Sequence, residues 1–264
     1  MQDMVAAINQ LSYRHSTSKI YSDFVEVSAI AFSNTVDKKH FEEREKRYFD
    51  IINQYTKEEL NIFPQLLGML VKHLTNAPKD VLGDMFHELE LHNERKGQFF
   101  TPFPLCQMMA KLTIGDNPQS IIDQKGFITV SEPSCGTGAM VIAAATELQS
   151  QGINYQQNLY VSATDLDVTC VHAAYVQFSL LNIPATLIHG DTLTLKEYSQ
   201  WYTPAHILGF WGQKIERSQN QEILKEFISN SPAPEAAKPE IKPKDTIPER
   251  PKNQKNVGTQ LNIF

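Results

Sequence analysis

Residues 127–145 read FITVSEPSCGTGAMVIAAA, in which a β-branched, apolar run leads through a glycine-containing kink into an alanine-rich run. The first run is typical of a buried strand and the last of a helix, so the stretch predicts a strand, a tight turn and a helix. Gly136 and Gly138 occupy the turn, where a missing Cβ permits positive φ and lets a ligand approach the backbone. The free N–H groups of the following helix would face the same ligand. The stretch predicts a nucleotide-type turn, with an ordinary strand-to-helix turn as the alternative.

Three better-known patterns are missing from this turn. No Gly-Lys-Ser/Thr follows it, so it is not a Walker loop, and the third glycine of G-x-G-x-x-G is absent. Ser134 and Cys135 lie in the turn, but without a G-x-S-x-G pattern they do not form a nucleophile elbow. The turn is therefore expected to bind a ligand through its backbone.

Strand and helix signals alternate around the turn. Strands are predicted at 127–132, 159–164 and 185–189, with helices at 138–149 and 168–181. This alternation indicates a parallel sheet covered by helices. A fourth strand is predicted near 206–210 and a last helix at 215–229. The predicted fold class is α/β, with a shortened Rossmann-like domain over residues 97–229.

The two ends of the chain differ from this middle part. Apolar residues recur at helical spacing between residues 20 and 92, so a helical N-terminal domain is predicted over residues 1–96. Residues 230–259 are rich in proline and lysine and carry few large apolar side chains, which predicts a disordered linker. Residues 260–264 read QLNIF, an apolar end on a polar tail.

Composition excludes several classes of protein. The 264 residues contain no run of about 18 apolar residues that could span a membrane, and no basic secretion signal starts the chain, so cytoplasm is expected. The three cysteines are far apart and no close His/Cys set occurs, so neither a disulfide framework nor a metal site is expected. A net charge of −6 argues against a protein that coats nucleic acid indiscriminately, because such binding depends on Lys and Arg. Any contact with nucleic acid should be confined to one face or supplied by a partner.

Two acidic residues follow the next two predicted strands. Asp165 ends the second strand, where a carboxylate can accept hydrogen bonds from the vicinal hydroxyls of a ribose. Asp191 follows the third strand, where a carboxylate can accept from the exocyclic amine of an adenine. Both are candidate residues of a nucleoside site.

The ordered set of motifs resembles the adenine-N6 DNA methylases, especially the modification subunits of type I restriction systems. The matching blocks are DVLGDMFHELEL, GQFFTP at 97–102, EPSCGTGAM at 132–140, TDLD at 164–167 and HGDTL at 189–193. They cover roughly residues 80 to 193. The resemblance implies S-adenosylmethionine as cofactor, with Thr101 and the Gly136 loop on its methionine portion, Asp165 on the ribose and Asp191 on the adenine. The full set of cofactor-binding residues that it implies is Phe100, Thr101, Glu132, Ser134, Gly136, Gly138, Asp165 and Asp191.

The sequence also departs from that family. Glu132 stands where the family usually has Asp, and the catalytic Asn/Asp-Pro-Pro-Tyr/Phe block is missing. In the family this block orients the target amine and stacks on a base flipped from the duplex. Thr203 and Pro204 could supply a hydroxyl and a prolyl carbonyl in its place. The residue that stacks on the base could be Trp201, Tyr202 or His206. The alternative is that the aromatic residues of this segment pack in a core or an interface.

The resemblance and the tail also indicate partners. DNA is the implied substrate, and the chain has no room for a separate target-recognition domain, so a specificity subunit or another methylase subunit would select the sequence. QLNIF resembles the peptide by which bacterial polymerases and repair proteins hold the sliding clamp. In that peptide Gln260 would bond at the rim of a pocket, and Leu261, Ile263 and Phe264 would fill it.

Two functions are therefore weighed. The first is an S-adenosylmethionine-dependent adenine-N6 DNA methyltransferase that transfers the methyl group directly. The second is a catalytically silent relative that binds S-adenosylmethionine, replication partners through its clamp-binding tail, or both. The intact cofactor motifs favour the first function, and the missing catalytic block favours the second.

Overall fold

The computed structural model describes residues 1–76, 78–89, 91 and 101–230, with side chains through residue 223. Residues Met1–Leu224 form one compact unit. The domain boundary predicted at residue 96 and the predicted tail segments lie outside the described residues and stay predictions.

The described N-terminal part is helical, as the periodicity predicts. Its helices are α1 (Gln2–Asn9), α2 (Thr17–Val36), α3 (Phe41–Ile52), α4 (Lys57–Leu60), α5 (Ile62–Asn76) and α6 (Val81–Glu88). Side-chain caps fix several of their starts: Ser16 accepts from Lys19 N–H at the start of α2, and Thr56 forms a capping box with Glu59 at α4. Phe24 and Ile30 of α2 and Leu66 of α5 are buried in the core that results.

Described residues 101–230 form a four-stranded sheet with helices around it. The strands are β1 (Ile128–Glu132), β2 (Leu159–Asp165), β3 (Ala185–Asp191) and β4 (Lys196–Tyr202), in the order β1-β2-β3-β4. The helices are α7 (Phe103–Ile114), α8 (Gln119–Lys125), α9 (Ala139–Ser150), α10 (Tyr155–Asn158), α11 (Val168–Leu180), α12 (Pro204–Leu208) and α13 (Trp211–Asn230). β1 pairs with β2 and β2 with β3 in parallel, which confirms the predicted α/β fold class and three of its strands.

The predicted position of the fourth strand is wrong. Residues 206–210 include the end of α12, and the fourth strand is β4, which pairs antiparallel with β3 through a short connection at 192–195. The chain leaves β4 at Thr203, whose hydroxyl caps α12, and Pro204 provides the fixed φ that suits the first turn of a helix. Helix α12 therefore overlaps the residues for which the sequence predicted a strand.

Helix α11 joins the N-terminal helices to the sheet. It is mostly apolar, and its residues 170–178 are all buried, as expected for a helix enclosed on every side. It contacts α2 and α6 on one side and β2 and β3 on the other. The N-terminal helices and the sheet thus share one core, which places α6 beside the turn after β1.

No helix of the described residues is both long and apolar enough to cross a membrane.

Candidate functional site

Three acidic side chains end the three parallel strands. Glu132 is the last residue of β1, Asp165 of β2 and Asp191 of β3. In the register of the sheet, Glu132 lies opposite Ala163 and Asp165 lies opposite His189. The carboxyl ends of neighbouring parallel strands meet at one edge, the usual ligand-binding edge of an open α/β sheet. The structure therefore brings these three predicted residues to the same edge.

The turn after β1 bends over the end of β2. Gly136 has a φ of 52° and Gly138 a φ of 104°, so both use the positive φ that was predicted for the turn. The N–H of Gly136 donates to Asp165 Oδ2 at 2.7 Å, and the N–H of Cys135 donates to the Thr164 carbonyl at 2.8 Å. A Cβ on Gly138 would strike the Phe178 ring of α11. The turn is thus held against β2 and α11 with its backbone exposed to the strand ends.

Asp165 keeps room for further hydrogen bonds. Its Oδ1 accepts from the Asp167 N–H at 2.8 Å, and its Oδ2 accepts from Gly136. Each carboxylate oxygen has two lone pairs, so both oxygens can still accept from a diol. Burial raises the pKa of the Asp165 carboxyl above its usual value.

Glu132 and Ser134 lie beside it. Glu132 is half-buried, and its Oε1 accepts from the Ser134 N–H at 3.2 Å. Burial is the main cause that raises the pKa of Glu132, and the nearby charge of Asp165 raises it further. The Glu132 side chain, which is longer than the Asp usual in the family, thus forms a hydrogen bond with the loop that follows β1.

Asp191 stabilises the turn that follows it. Its Oδ1 accepts from the N–H groups of Leu193 at 2.9 Å and Thr194 at 3.2 Å. The hydrogen bond from the Thr194 side chain is the largest cause that lowers the pKa of Asp191, so the group is ionised at neutral pH. In the same turn the Thr192 hydroxyl donates to the Pro133 carbonyl at 2.6 Å, which joins the loops after β3 and β1 across the end of β2. The three loops converge, as the sequence predicts.

Thr101 lies on a cleft next to this edge. The cleft has a volume of about 540 Å³, within the usual range of ligand pockets, and is lined by residues between α6 and the start of α7. Its lining includes Lys79, Asp80, Gly83 and Thr101. Phe100, the other residue predicted from the same motif, lies outside the described residues. Thr101 is therefore placed beside α6.

A buried hydrogen-bond network joins α6 to the turn after β1, and sequence reasoning missed it. Asp80 Oδ2 accepts from the Thr137 hydroxyl at 2.5 Å, and Asp80 Oδ1 accepts from Gln177 Nε2 at 2.8 Å and from the Gly83 N–H at 2.9 Å. Gln177 Nε2 also donates to the Thr137 carbonyl at 2.8 Å. Burial raises the pKa of Asp80 despite these bonds. The only signal in the sequence was the position of Asp80 at the start of the DVLGDMF block.

The predicted catalytic substitutes lie at the opposite edge of the sheet. Because β4 runs antiparallel to β3, Lys196 is opposite Asp191 while Tyr202 is opposite Thr186, at the beginning of β3. Thr203 is fully buried, and its hydroxyl donates to the Ile183 carbonyl and accepts from the Ala185 N–H, both at 2.9 Å. Thr203, Pro204 and Tyr202 therefore do not meet the convergent loops, and this interpretation is corrected.

The aromatic residues of this segment mainly pack, which was the alternative reading. Trp201 and Trp211 are buried, and Trp211 lies against Phe127 and Tyr160 with ring centroids 5.3 and 5.9 Å apart. Tyr202 lies against His206 at 5.0 Å. The four residues predicted for the clamp-binding peptide, Gln260, Leu261, Ile263 and Phe264, are outside the described residues.

Comparisons with known proteins identify one matching family model and one similar solved structure. Residues 77–208, half of the chain, match the family model described as N-6 DNA methylase. A search of curated proteins finds no significant match. One similar solved structure is a candidate class I S-adenosylmethionine-dependent methyltransferase from Listeria monocytogenes, 17% identical with a TM-score of 0.39. The match covers 73% of this chain and 53% of that chain, so the present chain aligns with about half the length of that structure.

Proposed function

Since the chain belongs to the N-6 DNA methylase family, whose cofactor is S-adenosylmethionine, we propose that it is a DNA methyltransferase of the adenine-N6 type. The observation that carries this proposal is the hydrogen bond from Gly136 N–H to Asp165 at the carboxyl edge of the sheet. It holds a glycine turn and a carboxylate side by side at the place where open α/β sheets bind nucleosides.

The residues of this edge fit the cofactor. Gly136 and Gly138 give the turn its positive-φ backbone, and Asp165 offers oxygen acceptors for ribose hydroxyls. Thr101 and the turn after β1 are proposed to contact the methionine portion, and Asp191 the adenine amine. When bound, S-adenosylmethionine supplies a methyl group activated by its sulfonium sulfur for direct transfer to an adenine N6.

A catalytically silent relative is the second candidate function. The observation that favours it is the antiparallel direction of β4, which leads the chain away from the cofactor edge. No Asn/Asp-Pro-Pro-Tyr/Phe block occurs in the sequence, and loss of one acceptor of this kind typically costs about 10²–10³ in rate. Under this function the chain binds S-adenosylmethionine but transfers no methyl group by itself.

Calorimetry with S-adenosylmethionine tests the binding site that both functions share. The wild-type protein should bind, and Asp165→Ala should weaken binding by about tenfold or more, since hydrogen bonds to a charged group contribute roughly 1.5–3 kcal/mol each. Asp123→Ala, an exposed acid on α8, is the matched control and should bind as the wild type does. Absence of binding by the wild-type protein at millimolar ligand would contradict both functions.

A tritiated-methyl transfer assay on adenine-containing DNA separates the two functions. Transfer that Asp191→Ala abolishes supports the methyltransferase. Binding of the cofactor without transfer supports the silent relative. Repeating the assay with a specificity or second methylase subunit tests whether a partner selects the DNA sequence.

We propose the sliding clamp as a further partner, on the sequence of the tail alone. Gln260, Leu261, Ile263 and Phe264 would occupy a pocket on the clamp. Surface plasmon resonance with a bacterial clamp should show binding that is lost when residues 260–264 are deleted. If the truncated chain binds equally well, the tail is not the contact.

A further inference from the structure

The turn that holds the proposed cofactor is supported from behind by a helix of the N-terminal part. Thr137 lies between the two glycines of the turn, and only 1% of it is exposed. Its side chain makes a buried hydrogen bond to Asp80, which caps the start of α6. In the same turn, the N–H of Gly136 donates to Asp165 at the end of β2. The turn is therefore bonded on one side to β2 and on the other side to α6.

Gln177 closes this contact into a network. Gln177 is fully buried in α11, and its Nε2 donates to both the Asp80 carboxylate and the Thr137 carbonyl. Its Oε1 accepts from the Leu82 N–H of α6 at 3.2 Å. A single side chain thus links three segments that are distant in sequence. The residues that form these bonds are buried. Hydrogen bonds in such a buried site are directional and costly to break.

Glycine at position 83 makes this approach possible. A Cβ on Gly83 would collide with the Asp80 carboxylate and lie 2.6 Å from the Thr137 hydroxyl. The first turn of α6 therefore has to be free of a side chain at the point where it meets the cofactor turn. A general need for helix stability does not explain this glycine, because glycine lowers helix stability by about 1 kcal/mol relative to alanine.

We propose that Asp80 is a positioning residue for the cofactor turn, acting through the Thr137 hydroxyl and Gln177 to hold Gly136–Gly138 in the shape that binds the ligand. Helix α6 is then a working part of the cofactor site, and ligand binding at the turn stabilises the first turn of α6. This inference rests on the proposed function, because it takes the turn to be the cofactor site.

Thr137→Val and Thr137→Ser are the test pair. Valine keeps the shape but removes the hydroxyl, and we expect it to weaken S-adenosylmethionine binding by about tenfold in calorimetry at a temperature where the variant is fully folded. Serine keeps the hydroxyl and should bind within about threefold of the wild type. Thr186→Val is the control, since it removes a buried hydroxyl that bonds to Tyr160 at the other end of the sheet. It should leave the affinity unchanged.

Asp80→Asn asks whether geometry or charge is needed. The Thr137 hydroxyl can reverse and accept from an asparagine amide, so Asn can replace every hydrogen bond of Asp80 without its charge. Recovery of binding in Asp80→Asn but not in Asp80→Ala is the result expected of a positioning role.

Hydrogen exchange on the wild-type protein gives a measurement that needs no variant. Saturating S-adenosylmethionine should slow exchange of the Leu82 and Gly83 amides, whose acceptors are Gln177 and Asp80. Unchanged exchange of these amides, in a protein that binds the cofactor, would overturn the inference. Equal affinity of Thr137→Val and Thr137→Ser would overturn it as well. In both cases the proposed function would stand, whereas a wild-type chain that binds no cofactor removes the proposed function itself.

Discussion

Single residues of the turn after β1 satisfy two demands at once. Gly138 must adopt a φ of 104° and must also leave room for the Phe178 ring. Gly152 adopts a similar φ of 79°, but no atom lies within 4 Å of the place of its Cβ. Substitution of the two glycines therefore distinguishes the free-energy cost of a strained backbone from the additional cost of a steric clash.

Gly138→Ala should therefore destabilise the protein by about 3 kcal/mol, since overpacking adds to the cost of positive φ. Gly152→Ala should cost about 1 kcal/mol, because only the backbone is strained. Urea unfolding of both variants measures the difference. The two variants being equally stable would show that the Phe178 ring moves aside at no cost.

His172 is a residue whose burial makes stability depend on pH. It is 4% exposed in α11 and packs on Trp201 at 4.8 Å, and burial lowers its pKa from 6.5 to about 4. The unfolded chain takes up a proton near pH 6.5 while the folded chain stays neutral. The contribution of neutral, buried His172 to the free energy of unfolding is therefore present above pH 6.5. It is lost as the pH falls toward 4, by roughly 3 kcal/mol in all.

Chemical unfolding at pH 7 and pH 4.5 should show a larger loss of stability in the wild-type protein than in His172→Gln. The difference between the two proteins is the quantity to compare, because the raised pKa values of Asp80, Asp165 and Glu132 act in the opposite direction and are common to both. Parallel pH profiles would mean that His172 is protonated in the folded state.

Arg44 of α3 contacts strand β4 through both a backbone carbonyl and a side chain of the strand. Arg44 of α3 donates to the Gln200 carbonyl at 2.9 Å, pairs with Asp37 at 2.7 Å and lies over the Trp201 ring at 3.9 Å. Lysine cannot make these contacts together, since it lacks the planar group with several donors. Arg44→Lys should lower the free energy of unfolding by about 3 kcal/mol.

Arg47→Lys is the matched control for β4. Arg47 lies one turn further along α3 and pairs with Glu26 at 2.7 Å, but about half of its side chain is exposed. Exposed pairs contribute little, so this change should cost under about 1 kcal/mol. Similar losses in the two variants in thermal unfolding would show that the buried contact with β4 adds nothing.

The elements that the sequence predicted well are those with a clear hydrophobic pattern. β1, β2 and β3 carry β-branched or apolar runs, and the residues that end them, Glu132, Asp165 and Asp191, converge as expected. β4 was missed because KEYSQWY is largely polar and its first three residues are exposed. The connection before β4 does not follow the hydrophobic pattern either, because Leu193 and Leu195 are 96% and 84% exposed. Asp80, Thr137 and Gln177 were missed because their contacts join positions 40 to 97 residues apart, which no local pattern encodes.

At the scale of the whole molecule, the N-terminal helices and the sheet depend on one another. Tyr21 donates to the Leu82 carbonyl at 3.1 Å within the helical part, and Tyr175 of α11 donates to the Tyr202 carbonyl at the same distance in the sheet. α11 contacts both groups of elements, so we expect residues 1–223 to unfold in one cooperative transition. Far-ultraviolet circular dichroism and Trp fluorescence should report the same midpoint in urea, because both tryptophans lie in the sheet-forming part while nearly half of the described helical residues lie before it. Separate midpoints would mean that the N-terminal helices open by themselves.

The order of the strands has a consequence for how the protein is made. Every strand lies next to its neighbour in the sequence, from β1 to β4. In sheets where a late strand inserts between two early ones, the ribosome must release the whole domain before the centre can close. Here each new strand pairs with the strand synthesised just before it. The sheet can therefore assemble from β1 towards β4 while translation is still under way.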